Sequence, residues 1–127
     1  MCEGDEGIPG DARLYYQGRL AFEAGDYRGA IDLCQRSNRI HEHYESWECI
    51  GSLLLELRRA EQALAALQRA FELNPRSCKS GHLLVLCMHS LGLPRVEICE
   101  VIERVLTANP TYGPTVRFWA SLNDSNE

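Results

Sequence analysis

The sequence predicts an all-α fold, a right-handed α-solenoid of three stacked helix-turn-helix hairpins plus a capping helix, and three observations predict it. The chain repeats itself: Trp47, Ile50, Gly51 and Leu54, followed by Ala63, Leu67 and Asn74-Pro75, find counterparts one period earlier in Leu14, Gly18, Ala30 and Cys34. A period of about 33 residues marks helical hairpins stacked into a solenoid. Within each half-unit apolar residues recur three and four apart, as Ala63, Leu64, Leu67, Ala70 and Phe71 do, which is the amphipathic helix signature. Helix breakers punctuate the boundaries at Gly25, Pro75, Gly92 and Pro110.

Taken in order, seven helices are expected. Pro9-Gly10-Asp11 sets off a loose acidic start over residues 1–10, and Asp11 is suited to cap the first helix by accepting backbone N–H bonds. That helix runs over 12–24 and ends at Gly25-Asp26, because glycine readily takes the left-handed conformation just past a helix. The second covers 27–40, with Ala30, Ile31, Leu33, Cys34 and Ser37 on its inner stripe. The second hairpin takes 44–57 and 60–73 and stops before Pro75, which cannot continue a helix. The third, over 77–91 and 94–108, is looser: Gly81 stands where the bulky anchor belongs, and Val85 where a small residue would allow close helix contact. Residues 114–122 form a short last helix with Val116, Trp119 and Leu122 on one side, expected to cover the open edge of the stack, and 123–127 form a polar tail. The chain therefore reads as one domain over 11–122, with repeats at about 11–43, 44–77 and 78–112.

These residues resemble the tetratricopeptide repeat. Trp47, Gly51, Leu54, Ala63, Leu67 and Pro75 match its pattern in full; Leu14, Gly18, Phe22, Ala30 and Cys34 match in part; Met88, Ile102 and Pro110 speak for a third unit. The resemblance implies a concave groove lined by the first helix of each hairpin and used to bind another protein. Carried over residue by residue, the groove should present Tyr15, Tyr16, Arg19, Phe22, Glu48, Cys49, Ser52, Leu55, His82, Leu86 and His89. Such a face suits an extended peptide or a short helix with apolar anchors, since rigid aromatics give contact area at little entropic cost. Some members of the family clamp chaperone C-terminal carboxylates with Lys and Asn; Tyr15, Arg19 and Cys49 at those places do not reproduce that clamp. The expected function is thus a non-catalytic scaffold or adaptor. The alternative is a secretion-type chaperone, to which the stretch His43-Tyr44-Glu45-Ser46 is similar.

Composition excludes several other classes. The chain has 127 residues, 45% hydrophobic and 24% charged, with a net charge of -5 and no basic run denser than Arg58-Arg59. A nucleic-acid partner calls for a clustered basic stripe, and an anionic membrane surface for a polybasic segment; neither is present. Met1 to Gly10 lacks the basic and apolar parts of a secretory leader, and the longest apolar run, Leu83 to Met88, is far short of the roughly 20 residues of a membrane span. The expected location is the cytoplasm, where the six cysteines should be free thiols packed as small hydrophobes.

No cofactor and no metal are expected. Cys78 and His82, four apart, have the spacing of half a zinc site, but no second pair completes it. Cys87 and His89, two apart on one helix, turn away from each other, so catalysis would need a third group from elsewhere; a Cys/His-dependent enzyme is the remote alternative. His41-Glu42-His43 reads as a solvated bend between hairpins, and the mixed charges of Glu97 to Arg104 as a solvated helix face. Of Tyr15-Tyr16, one ring should be core and the other groove. Apolar edge surface left by the imperfect third repeat could pair two copies as a homodimer.

Overall fold

The computed structural model describes residues 10 to 124, and among them seven helices and no strand. They are α1 (Gly10–Glu23), α2 (Tyr27–Ile40), α3 (Tyr44–Glu56), α4 (Ala60–Leu73), α5 (Cys78–Ser90), α6 (Arg95–Ala108) and α7 (Gly113–Asp124). The expected loose start falls outside the described residues except for Gly10. Consecutive helices pack as antiparallel hairpins, α1 on α2, α3 on α4 and α5 on α6, and each hairpin stacks on the next to build a solenoid. α7 leans on α6 more lightly.

One turn recurs inside each hairpin. Gly25 has φ 85° and Gly92 has φ 71°, the left-handed conformation that closes a helix. Between α3 and α4 the same place is held by Arg58, at φ 61°, where a side chain is strained. In all three the backbone N–H bonds return to the preceding helix at similar lengths, as Gly25 to Phe22, Arg58 to Leu55 and Gly92 to His89. Two helix starts have side-chain caps: Asp26 accepts from the Gly29 N–H and Ser77 from the Ser80 N–H. α1 is already helical at Gly10, and the side chain of Asp11, the expected cap, lies outside the described residues.

The core follows the repeat. Ala30, Cys34, Ile50, Leu53, Ala63, Leu67, Phe71, Leu84, Val85, Ile98, Ile102 and Val105 are buried along the axis of the stack. Gly51 sits directly against Leu67: a Cβ there would come 2.5 Å from both Cγ and Cδ2 of that side chain. The missing anchor at Gly81 leaves no hole, since Val105 and Phe71 fill its space and a Cβ at Gly81 would collide with the former. Phe71 comes from the preceding hairpin, which is why the third unit tolerates a glycine in place of an aromatic.

Two expectations need correcting. His41-Glu42-His43 is a bend, but only His41 of the three is exposed. Glu42 accepts from Arg69 Nε (2.9 Å) and Nη2 and from Trp47 Nε1 (2.8 Å), while His43 Nε2 lies 2.7 Å from Ser46 Oγ and 3.2 Å from Ser37 Oγ. The reason is that a stack needs its inter-hairpin turn tied to both neighbours, and buried hydroxyls need partners. The last helix also turns a different face inward. Thr115 is fully buried and Phe118 and Leu122 pack on the core, whereas Val116 and Trp119 are 37% and 46% exposed. His82 draws α7 round by bonding Thr115, so the apolar spacing alone misjudged the contact face.

Candidate functional site

The joints between hairpins share one chemistry. Ser46, Ser80 and Thr115 occupy matching places at the starts of α3, α5 and α7, and all three are fully buried. Ser80 Oγ donates to Glu48 Oε2, and Thr115 Oγ1 is hydrogen-bonded to His82 Nδ1 across 3.0 Å; in each case the partner lies on the first helix of the preceding hairpin. Ser46 bonds to Ser37 and His43 instead, and the His43 ring meets Tyr15 of the preceding hairpin edge-on at 5.3 Å.

Along the first helices runs a trough of two cavities. One, of about 300 Å³, is walled by Tyr15, Arg19, Phe22, Glu48, Cys49 and Ser52, together with Glu45, Leu53 and Lys79. The second, of about 550 Å³, shares Ser52 and continues over Leu55 and Leu86, with Glu56, Arg58, Ala60, Leu83 and Ser90. Of the residues expected on this face, Tyr16, His82 and His89 line neither cavity.

Tyr15 and Tyr16 part company. Tyr15 is 9% exposed and its hydroxyl accepts from Arg19 Nη1 at 3.3 Å; burial pushes its phenol above the ordinary value, with the Arg19 bond opposing. Tyr16 is 61% exposed, its ring 5.7 Å from that of Tyr15. Glu48 is largely occupied: its side chain is 13% exposed, accepts from Ser77 and Ser80, and pairs with Lys79 Nζ at 3.7 Å. His82 is engaged with Thr115, Tyr112 and Phe118, and His89 stacks edge-on against Phe118 at 5.2 Å. Burial, helped by Arg117, lowers the affinity of His82 for a proton.

Sequence reasoning missed Glu45 and Lys79. They hold matching places on α3 and α5, one residue before the buried Ser46 and Ser80, and aligning the two hairpins on those serines would have found them. With Arg19 and Glu48 they give the trough mixed charge. The other cysteine–histidine pairs do not assemble: Cys78 Sγ–H donates to the Val105 carbonyl at 3.8 Å and Cys87 Sγ–H to that of Ala60 at 3.1 Å, each away from its histidine. Among the described residues no group of three or more His, Cys, Asp or Glu is placed to hold a metal ion, and no helix is long and apolar enough to cross a membrane.

No family profile matches the sequence. Solved structures do match the fold. The first TPR of Spaghetti (RPAP3), bound to the HSP90 peptide SRMEEVD, superposes with a TM-score of 0.82 over 91% of this chain and 94% of that one, at 19% identity. This is a tetratricopeptide-repeat fold. The Arabidopsis OM64 TPR domain agrees, with a TM-score of 0.82 at 14% identity, over 91% of this chain and 96% of its own. YrrB, a TPR protein with an unusual peptide-binding site, gives 0.73 at 23% identity; the match covers 83% of this chain and 54% of YrrB. At such identities the likeness is one of fold. The tetratricopeptide repeat accounts for the close Gly51–Leu67 contact, which brings the first helix of a hairpin against the second, and for the trough along the first helices.

Proposed function

We propose that this chain is a non-catalytic protein-interaction module whose trough holds an extended segment of a partner protein. The observation that carries the reading is the trough itself, apolar at Tyr15, Phe22, Leu55 and Leu86 and polar at Arg19, Glu45, Ser52 and Lys79. Apolar pockets with a few convergent polar groups fix both the affinity and the register of a bound peptide. In support, the same fold holds the peptide SRMEEVD in RPAP3. A strongly acidic tail fits this chain less well, because Glu45 and Glu48 share the wall with the two cations. The secretion-chaperone alternative has no separate support: His43 and Ser46, which suggested it, are engaged in the joint between the first two hairpins. Cys78, Cys87 and His82, of the thiols and imidazoles weighed for an enzyme, are engaged in other contacts.

The test is affinity capture from the native cell, followed by a binding titration on the partner recovered. Arg19→Ser with Leu55→Ser should weaken binding by at least tenfold while helix content and melting temperature stay near wild type, because trough residues contact a partner more than the core. Retained binding in that variant, with loss on Gln62→Arg in the cleft between α2 and α4, would move the site to the convex side.

A further inference from the structure

The last helix is built as a first helix without its second. Counted from the matching hydroxyls of Ser46, Ser80 and Thr115, one face carries Trp47, Ile50 and Gly51 on α3, Gly81, Leu84 and Val85 on α5, and Val116, Trp119 and Ala120 on α7. On α3 and α5 that face is turned to the second helix of the same hairpin, Gly51 against Leu67 of α4 and Gly81 against Val105 of α6. It is buried there, apart from the partly covered Trp47. Among the described residues no second helix returns along α7, and Val116, Trp119 and Ala120 are all exposed. The inward face of α7, with Thr115, Phe118 and Leu122, is already spent on the third hairpin.

We propose that this face binds a second copy of the chain, α7 packing antiparallel on α7 of the other copy about a twofold axis. Direction, volume and charge each fit. A second helix runs antiparallel to its first, and a twofold axis across the contact gives the other α7 that direction. With the axis level with Trp119 and Ala120, Trp119 of each copy lies over Ala120 of the other, large on small, as Leu67 lies over Gly51 within the second hairpin. Arg117 and Asp124 hold the places of Glu48 and Leu55, both on the trough wall, so they share the concave flank of α7 on either side of Ala120. An antiparallel copy sets Arg117 of each chain toward Asp124 of the other, twice. In a parallel pair those flanks lie on opposite sides and the charges do not meet. Tyr16 and Leu20 on α1 are exposed too, but both are large, and the small Gly18 beside them is turned to α2. One pair of helices is a small interface, so the dimer forms only as concentration rises. The axis keeps both concave flanks on one side, so two troughs face a partner together and gain avidity. That gain rests on the peptide-binding reading; the dimer itself does not.

Sedimentation equilibrium of the full chain, in reductant and over a concentration series, should show the mass rising from 14.4 kDa to twice that value. Trp119→Glu should stay a monomer throughout with unchanged helix content, because the side chain it replaces is exposed. Arg117→Asp should weaken the dimer by about tenfold, two exposed ion pairs being turned to repulsion, and adding Asp124→Arg to the same chain should restore it. Leu20→Glu should dimerise like the wild type. The charge reversal decides the matter even if Trp119→Glu fails to fold. A monomer at every concentration, a dimer untouched by Trp119→Glu, one abolished by Leu20→Glu, or no recovery in the doubly reversed chain would overturn the proposal.

Discussion

His82 and Thr115, on successive first helices, are hydrogen-bonded across 3.0 Å, and this pairing fixes which face of α7 meets the stack. The imidazole has Tyr112 and Phe118 edge-on around it and is buried enough to resist protonation. Its folded-state pKa is therefore depressed below 6.5, so in acid the unfolded chain takes up a proton that the folded chain refuses. Stability should fall as the pH drops through about 6.5 and level off below the folded pKa. Melts between neutral and mildly acid pH check this, and His82→Gln should flatten that part of the curve.

Glu42 answers to a lower range. Its bonds from Arg69, then Trp47, hold the carboxyl down to about 2. A depressed carboxylate stabilises the fold above its unfolded pKa, and that contribution is lost as the pH falls from the ordinary Glu range toward the folded value. Glu42→Gln should remove the corresponding acid-side loss while leaving the neutral-to-mild-acid slope of His82 in place. Acid titrations of the two variants side by side separate them.

Gly51→Ala should destabilise by about 1–3 kcal/mol, since the new Cβ drives into the buried Leu67 side chain. Leu67→Ala alone should cost about 2–5 kcal/mol. Because the two residues touch, their combined loss should be less than the sum of the two. Chemical denaturation of the four proteins closes the cycle, and strict additivity would place Gly51 elsewhere than against Leu67.

Arg58→Gly should stabilise the chain by about 1 kcal/mol, because it relieves a left-handed side chain at the turn where the other two hairpins have glycine. The gain should appear as a raised melting temperature with unchanged helix content.

The trough was legible where the repeat pattern is strict. Tyr15, Arg19, Phe22, Cys49, Ser52, Leu55 and Leu86 share one side of the first helices because helical spacing puts them there. It was not legible where a polar side chain had two places to go. His82 has trough spacing, yet it bonds the buried Thr115 hydroxyl of the next hairpin, which arrives from about thirty residues away, whereas Glu48 lines the trough as expected while also holding Ser80. Tyr15 and Tyr16 are neighbours, and Tyr15 is the one enclosed, with the His43 ring edge-on against it.

By itself the sequence determined the number of helices, their order and their pairing into hairpins, because period, small residues and helix breakers act locally or between adjacent helices. Only the tertiary structure decided the rest. It placed Val105 and Phe71 in the space above Gly81, Arg69 on Glu42, and the Thr115 face of α7 toward the core, with Trp119 outward. Each of these joins residues far apart in the chain, and a buried hydrogen bond or a filled volume outweighs the few tenths of a kcal/mol by which local spacing favours one helix face over another.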